Sequence, residues 1–210
     1  MRNLLVWQKL VLLGAVFLLP LVIVTYALVS SVNSLGIATA RHELLGVEYS
    51  RPLLTLLHDL QRFRGFSASG LEAERGKVRG DLGRHVTALD ASDLRLRSRL
   101  KLKGEWPMLA DRVRALLAAE PGPSSVDDTT VVIHQGFELL KQIGDDSALT
   151  LDPEIGSYYF VDLFLWKLPQ HAEHTALAWA KLAANGPGQP IATATRDDLC
   201  LLYTSPSPRD

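Results

Sequence analysis

Arg64 stands where a sequence of this kind normally places an aliphatic side chain. Leu53, Leu57, Leu60, Arg64, Ser67 and Leu71 follow one another at alternating spacings of four and three, the repeat of a helix face packed in a bundle. A guanidinium on that face must find a partner or cost several kcal/mol. Three solutions are open: a carboxylate such as Asp93 or Asp162, an aliphatic stem that carries the charge out to water, or a small anionic ligand held between helices. Gly65 follows directly, and without a Cβ it would let a small ligand or another helix approach the backbone. A second concentration of chemistry lies at Tyr158, Tyr159, Phe160, Phe164 and Trp166, with Asp162 and Lys167 among them. These rings either line an aromatic pocket or pack as ordinary core, with Asp162 and Lys167 as a polar margin. The candidate ligand-binding residues are therefore Arg64, Tyr158, Tyr159 and Asp162.

Catalytic signals are weak. The chain has no Walker loop, dinucleotide fingerprint, G-x-S-x-G elbow or H-E-x-x-H pair, so neither an enzymatic activity nor a cofactor is expected of it. His171 and His174 share a helix face and would need a third ligand to hold a metal; as a bare pair they read as solvated surface histidines. The formal net charge of −1 gives no basic footprint for nucleic acid.

The elements that must position these residues are helical throughout. A first long helix is expected from Leu35 to about Leu71, with Pro52 as a kink and the polar Glu72–Lys77 stretch as its exit and turn. A second, from about Asp81 to Ala119, carries Leu82, Val86, Leu89, Asp93, Leu96 and Leu100, kinks at Gly104-Glu105-Trp106-Pro107, where Pro107 is tolerable if it begins a new helical turn, and resumes with Trp106, Leu109, Val113 and Leu116. Pro121–Ser125 reads as a loop, with Ser125 and Asp128 as an N-cap pair. The third helix, about Val126 to Asp145, buries Val132, Ile133, Phe137, Leu140 and Ile143; its β-branched start would suit a strand, but Phe137 to Lys141 favours helix. Asp152-Pro153 opens a fourth that runs to about Asn185 with a kink at Pro169, and Thr195 to Asp198 begins a fifth. The fold class is all-α, a membrane-anchored, up-down bundle of long antiparallel helices.

The anchor is Leu10 to Val32, 23 residues without a charge, enough for a helix to cross a hydrocarbon core of about 30 Å. Pro20 in its middle is tolerated where neighbouring groups satisfy the freed carbonyl. Arg2 and Lys9 precede the run and the next charge is Arg41, which predicts a cytoplasmic N-terminus and an exported remainder. A cleaved signal peptide is the rival, but the run is too long and Val29-Ser30-Ser31 is a poor cleavage site. Residues 1–9 are thus a cytoplasmic N-terminus, 10–32 a transmembrane helix and 33–199 an extracytoplasmic helical domain. Cys200 to Asp210 match the conceptual translation of a transposase-type sequencing adaptor codon for codon, so residues 200–210 are expected to be foreign. On that reading the single cysteine, Cys200, supports no redox or metal chemistry, and the native chain is truncated after Leu199.

Two stretches resemble a bacterial receptor family. Leu149-Thr-Leu-Asp-Pro-Glu-Ile-Gly-Ser-Tyr-Tyr-Phe-Val-Asp-Leu-Phe-Leu-Trp-Lys-Leu-Pro169 is similar to the "LTLDPD-x-x-SYYLMD…LP" signature of helical periplasmic sensor domains in methyl-accepting chemotaxis proteins. Gly46-Val-Glu-Tyr49, Arg51-Pro-Leu53 and Leu60-Gln-Arg-Phe-Arg-Gly-Phe-Ser-Ala68 are similar to that family's "GVEY…RPL…LQ-x-HRG-x-SA", with Phe63 where His is common. The Arg-Gly-x-Ser-Ala run also resembles nitrate-sensing helical domains, whose helix arginines bind the anion; this implies an anion role for Arg64. The resemblance spans about Leu4 to Leu199. It implies a sensory input region in the bacterial inner membrane that detects an extracytoplasmic small molecule, most readily as a homodimer. The output would lie beyond a second transmembrane helix and a HAMP linker, as a chemoreceptor signalling domain or, alternatively, a histidine kinase or diguanylate cyclase. A purely structural anchored bundle is the remaining alternative.

Overall fold

A computed structural model describes residues 5–119, 125–151 and 155–185, with short pieces at 190–191, 193, 195–197 and 200. Among the described residues the chain is all-α and contains no strand. The α-helices are α1 (Val6–Ser31), α2 (Ala38–Ser69), α3 (Glu72–Leu96), α4 (Glu105–Ala118), α5 (Ser125–Asp146), α6 (Ile155–Val161) and α7 (Leu168–Ala184). Wider π-type turns occupy Val32–Ile37 and Asp162–Lys167, and a 3-10 turn occupies Leu149–Leu151.

The chain divides into two compact units, Met1–Glu43 and Leu44–Asp210, so the boundary falls inside α2 rather than at the end of the apolar run. The first unit is built on α1, which buries none of its residues and continues through Pro20 without a break. It is long and apolar enough to cross a membrane.

The second unit holds the core. Tyr49, Leu53, Leu56, Leu57, Leu60 and Phe63 of α2 meet Val78, Leu82, Val86, Leu89 and Leu96 of α3. Trp106, Leu109 and Val113 of α4 and Val132, Ile133, Leu140 and Ile143 of α5 complete it. The expected stripe residues from Leu82 to Leu100 are all buried, as the four-three spacing requires. On α2 the stripe ends earlier, because Leu71 lies past the helix and is exposed.

Three element boundaries differ from those the sequence suggests. The Glu72–Lys77 stretch is the start of α3, not a turn: Glu72 and Glu74 sit at the positive end of the helix, and Glu72–Arg75 and Glu74–Lys77 pair one turn on. Gly70, in the left-handed region at φ +69°, supplies the reversal instead. The long second helix is two helices: at the Gly104–Pro107 kink the backbone breaks outright, turned by Lys101 at φ 57° and Gly104 at φ +107°, and α4 begins with Pro107 in its first turn. The expected kink at Pro169 is a π-type turn just before it, in which the Leu168 amide donates to the Leu163 carbonyl. Widening the helix there moves the carbonyl the proline ring would strike and omits the bond its missing N–H cannot make. The β-branched Val131–Ile133 segment is helical within α5. The Asp152-Pro153 start, the Pro121–Ser124 loop and Asp198 lie outside the described residues; residues 195–197 are helical.

Candidate functional site

Arg64 is completely buried, and its charge is met by the protein's own carboxylate. Arg64 Nη1 donates to Glu173 Oε1 at 2.7 Å and Arg64 Nη2 to Glu173 Oε2 at 3.0 Å, a two-pronged contact between α2 and α7. Nη1 also donates to Thr130 Oγ1 of α5 at 3.0 Å, and that hydroxyl in turn donates to the Val126 carbonyl at 2.7 Å. Glu173 is 4% exposed. The partners suggested by the sequence are engaged elsewhere. Asp93 accepts from the Tyr49 hydroxyl at 2.9 Å and from Arg97 Nε and Nη2 at 2.9 and 2.6 Å. Asp162 pairs with Lys167.

The two residues after Arg64 face the same helix. Any side chain at Gly65 would run into the Trp179 ring of α7, so this glycine's free space is filled by that indole. Phe66 meets Trp179 edge to face, with ring centroids 5.5 Å apart. Arg64, Gly65 and Phe66 therefore form one docking motif for α7: an ion pair, a flat backbone and an aromatic edge. Of the two occupants the sequence allows beside Gly65, a ligand or a helix, the structure holds the helix.

Tyr49 marks the other end of the α2 core face. Burial first, and then the adjacent Asp93 carboxylate that accepts its hydrogen bond, push the Tyr49 hydroxyl far above the usual phenol range. It stays neutral and donates. Near it, Gly46 faces Ser147 Oγ and Leu149 closely enough that an added Cβ would overlap both.

The aromatic stretch behaves otherwise than core. Tyr158, Tyr159, Phe160 and Phe164 are all exposed, at 44%, 60%, 66% and 54%; only Trp166 of this group packs against the core cluster. The reason is periodicity: five aromatic residues within nine positions lie around the helix rather than along one face. Tyr158 and Tyr159 meet edge to face at 5.8 Å, and Phe160 and Phe164 stack at 5.9 Å with ring planes 3° apart. The structure thus separates the candidate residues into two places. Arg64 lies in the core, while Tyr158, Tyr159 and Asp162 lie on or near the surface of α6 and the π-type turn.

His171 and His174 are both exposed on α7, and among the described residues no group of three metal-ligating side chains forms. Glu173 and Trp179 were not singled out by their types. Their signal was present only as the unmet charge of Arg64 and the bare backbone of Gly65. No protein-family model, curated protein or solved structure matches the chain.

Proposed function

We propose that this chain is the sensory input region of a bacterial transmembrane receptor, a chemoreceptor whose α1 anchors it in the inner membrane. In this reading the N-terminus is cytoplasmic and the helical unit extracytoplasmic, where it detects a small molecule. The observation that carries the reading is the apolar α1, which buries nothing and is long enough to cross a membrane. In chain order the π-type turn Val32–Ile37 and then α2 follow it, and α2 supplies Tyr49, Leu53, Leu57 and Leu60 to the core of the second unit.

Side-chain pairings support an antiparallel course for α2 and α3. Tyr49 bonds Asp93, Asp59 lies 3.2 Å from His85, and Phe63 lies under the Arg75 guanidinium, so numbers rise along one helix as they fall along the other. A ligand that binds one arrangement of such helices better than another shifts the population between them. Displacements of about 1–2 Å along a packed helix suffice to carry a signal. A homodimer suits this mechanism. Arg64 and Glu173 serve in it as the clasp that makes α7 move with α2.

Thermal melts of the full chain in detergent micelles test the reading, using a panel of amino acids, small carboxylates and nitrate. A receptor input is stabilised saturably by at least one of them, by about 2.7 kcal/mol at a hundredfold excess over its dissociation constant. A scaffold bundle melts at the same temperature in all of them.

A further inference from the structure

A groove of about 570 Å³ opens between α2 and the α6–π-turn segment, and nothing in the Arg64 clasp uses it. Its body is apolar, formed by Leu54 of α2 and by Phe160, Phe164 and Leu165 opposite. The volume falls within the range of small-molecule sites, about 300–1,000 Å³. Two polar features break the apolar wall. Ser50 is 1% exposed, and its buried Oγ has no hydrogen-bond partner. A hydroxyl left so is costly unless something else bonds it, and Ser50 is one of the residues that line the groove.

Arg51, next in sequence, also lines the groove and is exposed. Among the described residues its guanidinium has no ion pair or hydrogen bond, whereas the nearby Glu48 is paired with Arg95 at 3.3 Å. Among the described residues no side chain lining the groove is acidic. The groove therefore presents one positive charge, one unspent hydroxyl and a wall of rings and branched aliphatics. The π-type turn Asp162–Lys167 carries part of that wall, and such turns recur at functional sites because they redirect side chains out of helical register.

We infer that this groove binds a small organic monocarboxylate with an apolar, preferably aromatic, body. The carboxylate meets the Arg51 guanidinium and the Ser50 hydroxyl at one end. The body lies against Leu54, Leu165 and the stacked Phe160 and Phe164 rings. The inference deepens the receptor reading, on which it rests only for its biological purpose; the binding itself stands on the geometry of the groove.

The test is titration calorimetry on the full chain in micelles, with phenylacetate as the probe. Its uncharged counterpart 2-phenylethanol and its truncated counterpart acetate serve as the two comparisons. Phenylacetate is expected to bind, 2-phenylethanol at least tenfold more weakly, and acetate not at all at the same concentrations. A charge-assisted hydrogen bond lost from such a site weakens binding about tenfold to a hundredfold, so Arg51→Gln should show a loss of that size and Ser50→Ala a smaller one. Leu54→Trp, which fills the groove, should abolish binding while the circular dichroism spectrum remains helical. Arg51 is exposed, so its replacement should leave the fold intact. No phenylacetate binding at millimolar concentrations would overturn the inference, as would equal binding of 2-phenylethanol or unchanged affinity in Arg51→Gln. That failure would leave the receptor reading to the wider panel of solutes. Conversely, phenylacetate binding to a chain whose helical unit faces the cytoplasm would sustain the groove and sink the receptor.

Discussion

Arg64 and Glu173, 109 positions apart, close on each other through two parallel hydrogen bonds with almost no contact with water. Breaking such a pair from one side leaves a buried charge unmet. Arg64→Ala and Glu173→Ala should each cost about 3–5 kcal/mol, while Arg64→Met with Glu173→Leu should recover most of the loss. Chemical denaturation of the four proteins measures these losses, and the Arg64→Ala/Glu173→Ala double variant closes the cycle that gives the coupling energy. Nitrate provides a second arm. If the site were an anion receptor, nitrate would stabilise the wild type and Arg64→Ala would abolish that effect; the occupied guanidinium predicts no nitrate effect on this site.

Glycines of this chain should respond to alanine in opposite directions according to what surrounds them. Gly76, Gly80 and Gly83 lie on α3 with nothing within 4 Å of an added Cβ, so alanine there should stabilise by about 0.4–1 kcal/mol each. Gly104 also has open space, but its φ of +107° is strained for any other residue, and alanine should destabilise by about 1–2 kcal/mol. Gly65→Ala drives a methyl into the Trp179 ring and should cost about 1–3 kcal/mol. Loss of the near-ultraviolet signal of the packed indole would accompany it.

The Tyr49–Asp93 contact makes stability depend on alkaline pH. Burial and the neighbouring carboxylate raise the folded-state pKa, so the contribution is complete below the unfolded-state value of about 10 and declines above it. The slope attributable to this one proton is about 1.4 kcal/mol per pH unit. At neutral pH Tyr49→Phe should cost about 1.5–3 kcal/mol for a hydrogen bond to a charged group. Between pH 10 and 11.5 the gap between the two proteins should narrow. A gap constant across that range would mean that Tyr49 ionises normally in the fold.

How much of this was legible in the residues depends on the kind of signal. The stripes on α3 and α5 were readable because apolar spacing is a local property, and Leu82, Val86, Leu89 and Ile133 are buried as their spacing demands. Arg64 was readable as an anomaly. Its partner was not, since ion pairing across 109 positions leaves no local trace and Glu173 looks like any polar residue between two surface histidines. The place of the α3–α4 break was readable from Gly104 to Pro107, but as a kink; that it is a full break was not, because a left-handed lysine at Lys101 carries no signature of its own. The aromatic run from Tyr158 to Trp166 misled for the opposite reason: ring content suggested burial, but consecutive rings cannot all face one way on a helix.

In the proposed receptor, α1 holds the helical unit outside the cytoplasm as an input. Two reporters fused after the exposed Ala119, with the anchor intact, test it most directly in a bacterial host: alkaline phosphatase, which folds only outside the cytoplasm, and green fluorescent protein, which in this export route fluoresces only inside. Because Lys9 precedes the apolar run and the next charge is Arg41, the phosphatase fusion should be active and the fluorescent fusion dark. A bright fluorescent fusion with an inactive phosphatase would place the unit in the cytoplasm and contradict the account.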